Sequence, residues 1–364
     1  MIKKKNEHLY LIDICRGIAA FCIVIFHYRI FYNPNINTTS FEKNNQPFYN
    51  ILFPAYETGW IAVQFFFTIS GFIFYYLYLY KIQNNKISWK DFFILRFSRL
   101  YPLHFITLNL ILILYLIFTL NNLIPFQFSE INIKHYFLNI FLISSWGFEN
   151  NASFNTPSWS ISIEVLLYIL FFLITKIKVK ILYSTLFLIL LSIFIFYLNK
   201  LIGYGIFCFF IGGLTYLIIE KLNNSKMKII NLIILFLTIS LVVIFLIKKY
   251  EIREIYFKIL MLTTFFPSLI IFLFFFQKLN KKIGEKISII GDISYSIYLI
   301  HFIIQIMIFG ILQSNNIKLD FNSKIYFLSY IVIVTTISFF SYNYFEKPMQ
   351  KFFRKNIVNI SILK

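Results

Sequence analysis

Several ionisable side chains of this chain fall inside long apolar runs, where each costs several kcal/mol by insertion scales and so marks a candidate for function. In LIDICRGIAAFCIVIFHY, Arg16 and His27 are eleven residues apart, a spacing that on an α-helix returns the same face within about 20° and separates the two groups by roughly 16 Å along the axis. One helix then offers a guanidinium at one end and an imidazole deep in the bilayer, both towards one cavity. Arg16 is an anion ligand or a topogenic, snorkelling charge. His27 is a base or a helix-to-helix hydrogen bonder. In PSWSISIEVLLY, Ser160 and Glu164 are i, i+4 neighbours on one helix face. Pro157 suits a first turn, with Thr156 or Ser158 as cap. Glu164 lies beyond that turn, so it either serves chemistry or orients helices through a partner such as Arg16, His27 or Arg29.

Softer signals follow. FFFTISGFI sets Ser70 and Gly71 mid-run, for close helix packing or a local break. RFSRLYP sets Arg96 and Arg99 three residues apart, as a phosphate clamp or a basic flank. GDISYSIYLIH sets Asp292 near a helix start and His301 about 13 Å further along, as a packing hydrogen bonder or a catalyst. His104, directly after an expected helix start at Pro102, and His8 and His135 in loops carry no assigned role. Cys15, Cys22 and Cys208 lie in apolar runs with no Cys-x-x-Cys or Cys/His spacing, so buried thiols are expected, with neither a disulfide framework nor a metal site.

The elements that position these residues follow from composition. Of 364 residues, 59% are hydrophobic and 13% charged, with mean hydropathy +0.75. Soluble domains carry about 25% charged residues, and the uninterrupted apolar runs exclude an alternating barrel. The class is an all-α polytopic membrane protein. About ten spans are expected, near 11–31, 57–80, 100–120, 158–175, 181–198, 201–219, 229–247, 255–276, 288–312 and 325–345. The first is too long for a signal peptide and has no small-residue cleavage site. Residues 136–146 are apolar but too short to cross, which suggests an interfacial or re-entrant piece of a long loop.

The net charge of +19 would suggest an acidic partner in a soluble protein. Placed on ten spans with the N-terminus inside, 24 of the 34 cations fall on one side, so most of the charge is topology and no nucleic-acid partner is expected. Both termini are then cytoplasmic, and the long loops 32–56 and 121–157 face outwards. A single unit over 1–364, with spans over about 11–345 and no extra soluble domain, is expected.

The motifs taken in order resemble the integral-membrane acyltransferase 3 family, many members of which O-acetylate bacterial surface polysaccharides. The Arg16-Gly17 and His27 pattern, VQFFFTISGFIF, FILRFSRLYP, PSWSISIEVLLY, GDISYSIYLIH and SYNYFEKPMQ are similar to its signatures from Leu11 to about Phe353. Two departures stand out. Asp13-Ile14-Cys15 replaces the family's frequent Asp-Gly-Leu before the Arg-Gly pair, and Val165 stands where a second Glu often follows Glu164. A hydrolase-like extracytoplasmic domain of the kind many relatives carry is not expected here.

The resemblance implies a multi-pass cell-membrane O-acetyltransferase. Its donor is acetyl-CoA or another acyl-CoA, taken from the cytoplasm and not permanently bound, and its acceptor is a sugar hydroxyl. Arg16, Arg96 and Arg99 are then expected to hold the donor's phosphates, while His27 acts as base or transient acyl carrier at an arm's length. Glu164 would orient His27 or bind acceptor hydroxyls. Trp159 and Ser160 would line the acceptor side, and Ser70 and His301 are further candidate substrate-binding residues. A Ser nucleophile is disfavoured because no G-x-S-x-G elbow is present. On composition alone, a transporter or flippase for a lipid-linked sugar or small solute is the rival reading.

Overall fold

The computed structural model describes residues 7–32, 42–123, 131–149, 153–177, 179–222, 226–249 and 254–355. Among these, the chain has no strand. The helices run α1 Tyr10–Tyr28, α2 Tyr49–Thr58, α3 Ala62–Gln83, α4 Trp89–Leu120 and α5 Ile133–Ile140; then α6 Trp159–Lys176, α7 Ile181–Leu198, α8 Lys200–Leu222, α9 Lys226–Lys249 and α10 Glu254–Leu260; and finally α11 Phe266–Leu279, α12 Ile289–Asp292, α13 Ser294–Ser314, α14 Lys324–Ser341 and α15 Lys347–Arg354. Single π turns join α10 to α11 and α14 to α15.

Nine helical segments of the described residues are long and apolar enough to cross a bilayer. The tenth expected span, 229–247, corresponds to α9, whose apolar stretch Ile233–Phe245 is shorter. The protein is therefore an all-α polytopic membrane protein. With α9 counted beside these nine, successive long helices alternate direction, and both ends of the described chain return to one face. Glu7 meets Tyr76 near the end of α3, and Arg354 meets Leu95 and Ser98 near the start of α4. That face is called the N-terminal face below. Lys3, Lys4, Lys5, Lys178, Arg253 and Lys364, part of the charge count, lie outside the described residues.

Three expectations about boundaries change. The third span begins at Trp89 rather than near 100, because Ser88 caps the helix by accepting from the Asp91 N–H at 3.1 Å. Pro102 thus lies inside a 32-residue helix and does not start one. A helix-interior proline removes one intrahelical bond, and the turn before it is where Arg354 docks, its Nη2 donating to the Leu95 carbonyl at 3.1 Å and its Nε to the Ser98 hydroxyl at 2.9 Å. Part of the loop expected at 32–56 is helical, in α2. Within the apolar piece 136–146, α5 ends at Ile140 and a turn follows, folding back on α6. Trp146 Nε1 donates to the Ser162 carbonyl at 2.8 Å, and the Ser145 N–H to the Ser162 hydroxyl at 3.1 Å.

Two glycine seams set the helix spacing around the site. A Cβ at Gly71 would lie 1.8 Å from the Phe209 carbonyl oxygen, and one at Gly212 1.9 Å from that of Thr68, so α3 and α8 meet backbone to backbone. Gly71 therefore serves close packing and not a helix break. Likewise Gly291 admits the Asp13 carbonyl, 2.1 Å from where a Cβ would stand, bringing α12 against the first turns of α1. An aromatic core of Phe72, Phe74, Tyr75, Phe171 and Phe209, almost free of solvent contact, fills the space between α3, α6 and α8. Cys15 and Cys22 on α1 and Cys208 on α8 are free thiols.

Candidate active site

A cavity of about 90 Å³ runs between α1, α3, α4, α6 and α13. Arg16, Arg96, Arg99, Ser70, Ser160 and Glu164, six residues singled out from sequence, all line it. Arg16, Arg96 and Arg99, with Ile73 and Tyr295, also line a second chamber towards the N-terminal face, whose walls include Glu7, Asp13, Asp292, Glu346 and Arg354. The three arginines therefore stand at the neck between a polar vestibule and an inner chamber.

They stand there on different terms. Arg16 Nη1 donates to Asp13 Oδ1 at 2.9 Å, and its Nη2 to the Ser294 hydroxyl at 3.3 Å. Arg96 is buried, its guanidinium 4.9 Å from the centre of the Phe74 ring and 4.7 Å from that of Tyr78, whose hydroxyl accepts from Nη2. Arg99 is half-buried and has no hydrogen bond or ion pair with the described residues. It is the cation of the three with its donors uncommitted.

Among the described residues Glu164 forms no ion pair with a cation and no hydrogen bond with His27. Ser70 Oγ donates to its Oε1 at 3.0 Å and Tyr168 OH to the same oxygen at 2.6 Å. Oε2 has no partner among the described residues. The reason is depth: Glu164 faces Ser70 on α3, one side of the chamber, while His27 sits further along α1. Ser160 Oγ donates to Tyr298 OH at 2.9 Å, and Tyr298 OH donates to the Pro157 carbonyl at 2.8 Å, which ties α13 to the first turn of α6. Trp159 faces the other way. With Asn139, Glu149, Ser153, Ser158 and Asn199 it lines a separate polar cavity of about 310 Å³ on the opposite side, and its ring packs edge-on to Phe67 at 6.2 Å. Adjacent residues of one helical turn thus line two cavities.

His27 lines neither cavity. Its ring is half-buried, and its Nδ1 lies 2.8 Å from Nε2 of His301, which is fully buried. His301 thus contacts His27 and does not line either of these cavities. The pair stands one side-chain layer from the inner chamber. Tyr298, part of that chamber's wall, has its ring 6.2 Å from that of His301. Along α3 the chamber reaches Val63, one helical turn from Gly59, whose Cα packs against the Cys22 carbonyl of α1. Arg16 and His27 therefore bracket the length of the chamber from one helix.

Asp13, Tyr298, Glu346 and Arg354 were not singled out from sequence, whereas Tyr168 belongs to the same PSWSISIEVLLY cluster as Ser160 and Glu164. Tyr168 stands four residues after Glu164, on the same face, and that spacing was a readable signal. Glu346 is buried and accepts from the Ser296 hydroxyl; its contact with a residue fifty positions away has no local signature.

The acyltransferase 3 family, described as an acyltransferase domain, matches residues 9–343. A curated relative, acyltransferase MdmB of Streptomyces mycarofaciens, is 33% identical over 121 residues, 31% of this chain and 27% of that protein. The aligned stretch thus spans about a quarter of the relative's length. No solved structure matches the chain. The family match covers the helices that carry Arg16, His27, Arg96, Arg99, Glu164 and His301, and it agrees with the motif order read from the sequence. The chain belongs to the acyltransferase 3 family, carried here on a multi-pass bundle of apolar helices.

Proposed function

We propose that the protein is an O-acyltransferase of the cell membrane that carries an acyl group, acetyl in the first instance, from acyl-CoA to a hydroxyl of a sugar in a surface polysaccharide or its precursor. The N-terminal face is cytoplasmic in this reading, in line with the cation asymmetry. The observation that carries it is the neck of Arg16, Arg96 and Arg99 shared by the vestibule and the inner chamber. A donor that is multiply anionic at one end and slender at the other fits this order of chambers. Its phosphates meet the arginines at the neck, Arg99 offering uncommitted donors, and its pantetheine arm follows α1 over the ~16 Å towards His27.

At the far end, His27 acts as general base. Its ring takes the proton of the acceptor hydroxyl as the oxygen attacks the thioester carbonyl. The C–S bond breaks, the CoA thiolate leaves, and the proton passes from His27 to that thiolate, so no net proton is lost. Glu164, held by Ser70 and Tyr168, and the Ser160–Tyr298 pair supply polar groups along the way, with Trp159 and the polar cavity beyond it on the acceptor side.

The test uses purified full-length protein in nanodiscs. Acetyl-CoA should bind and be slowly hydrolysed or transferred, and His27→Ala should abolish turnover with donor affinity retained. Absence of acyl-CoA binding or turnover with any acceptor, together with His27-dependent uptake of a radiolabelled solute, would refute the enzyme assignment.

A further inference from the structure

We infer that His301 is a positioning residue that fixes the tautomer of His27, leaving Nε2 of His27 as the basic nitrogen of the pair. The inference deepens the proposed function and rests on its reading of His27 as the base. Its starting point is a backbone atom. His301 Nδ1 lies 3.1 Å from the Ile297 carbonyl oxygen, and a carbonyl oxygen only accepts, so the proton is on Nδ1 of His301. A neutral imidazole carries one N–H, so Nε2 of His301 presents a lone pair. That lone pair is 2.8 Å from Nδ1 of His27, and the hydrogen between them therefore belongs to His27 Nδ1. By the same rule, Nε2 of His27 is left with its lone pair. It has no hydrogen-bond partner among the described residues. The opposite assignment would aim the His301 Nδ1 lone pair at a carbonyl oxygen inside a fully buried site, an unmet polar contact of the costly kind.

The ring geometry agrees. The two planes differ by 17° and the centroids are 5.1 Å apart, the separation of two rings joined edge to edge through a bond of this length, so the N–H of one ring points along the lone pair of the other. The helices that carry the rings run parallel. They are tied at one level by Arg16 to Ser294 and one turn beyond the dyad by Gln305, whose Nε2 donates to the His27 carbonyl at 2.9 Å. When His27 Nε2 takes the acceptor's proton, the resulting imidazolium keeps its Nδ1–H on His301, and the positive charge is met by a relay that ends on the Ile297 carbonyl. The role that an aspartate plays for the histidine of a hydrolase triad falls here to a second, neutral histidine. It needs no buried counter-charge, which fits Glu164 being engaged elsewhere.

The experiment compares His301→Phe, which keeps the ring and removes the acceptor, with His301→Gln, whose amide oxygen accepts the same N–H. Both are made in the full chain in nanodiscs and read for kcat with acetyl-CoA, for acetyl-CoA affinity, and for the His27 tautomer by 15N-histidine NMR. His301→Phe should lower kcat by about 100-fold or more, with acetyl-CoA affinity within twofold of wild type. His301→Gln should recover kcat to within about tenfold of wild type. In the wild-type spectrum His27 should be protonated at Nδ1 and bare at Nε2, and in His301→Phe the Nε2–H form should grow. A wild-type His27 protonated at Nε2 overturns the inference, as do equal losses of kcat in both variants with the tautomer unchanged. The wild-type spectrum decides the matter even where His301→Phe fails to fold. Turnover that survives His27→Ala refutes the base reading instead, and leaves the tautomer result to stand on its own.

Discussion

Arg99→Gln is the substitution that most cleanly separates donor binding from folding. Its guanidinium is bonded to no described residue, yet it lines both the vestibule and the inner chamber. Removing it breaks no hydrogen bond or ion pair with the described residues, although its charge also acts on Glu164, Asp13 and Asp292. Arg16 is different: its loss would leave Asp13 without its 2.9 Å partner in a site where both side chains are nearly out of solvent. Breaking one side of a buried pair costs about 3–5 kcal/mol, so Arg16→Ala should lower stability and donor affinity together. Arg96, wedged between the Phe74 and Tyr78 rings, should do the same through lost packing. For Arg99 the loss is one charge-assisted hydrogen bond to the donor, about 1.5–3 kcal/mol. At 1.4 kcal/mol per decade this is a rise in Kd of about 10- to 150-fold, with no change in the thermal midpoint. Calorimetric titration of acetyl-CoA into nanodiscs measures the first and a thermal shift in the same preparation the second. The wild-type affinity should fall with added salt, and the variant's should fall less. A Kd for Arg99→Gln within twofold of wild type would show that the neck does not hold the donor's phosphates in this way.

Other outcomes follow from the same geometry. Gly71→Ala places a methyl group against the Phe209 carbonyl, and should destabilise the protein by about 1–3 kcal/mol; an unchanged thermal midpoint would mean the α3 and α8 backbones are further apart than described. Glu164→Gln keeps an oxygen for Ser70 and Tyr168 while removing the charge, so it should fold normally and lose kcat/KM. Full activity would reduce Glu164 to a brace. A cysteine introduced at Asn316, at the far end of α13, should react with a membrane-impermeant maleimide in intact cells, and one at Asn84, after α3, should not; the reverse pattern would invert the proposed orientation.

Much of the architecture was legible because a bilayer imposes a simple rule: apolar runs of about twenty residues become spanning helices. The same rule says nothing of helix that continues past the hydrocarbon, which is why the start of α4 was set near 100. The local signal was there, in Ser88 followed three residues later by Asp91. Arg16, Arg96, Arg99, Ser70, Ser160 and Glu164 were found because polar groups in apolar runs are conspicuous, and they do share one cavity. Their partners were not legible. The 278-residue separation of Arg16 from Ser294 and the 274-residue separation of His27 from His301 are products of how α1 and α13 pack, which no local spacing encodes. Asp13 was within reach, being one turn from Arg16, but a carboxylate at a helix start has an ordinary explanation.

The seam between α3 and α8 also bears on the size of the inner chamber. Where two helices touch through main-chain atoms, neither can retreat when a side chain on the opposite face grows, and neither can follow inward when one shrinks. Val63, Phe66 and Phe67 project from α3 into the chamber while Gly71 holds the same helix against Phe209. If the chamber holds the donor's acyl chain as proposed, its room is set by the size of these side chains and is insulated from the spacing of the bundle. Trimming Phe66 or Phe67 would lengthen the compartment without the helices closing in to fill it, so α3 works as a fixed rail on which acyl-chain selectivity can be reset one residue at a time.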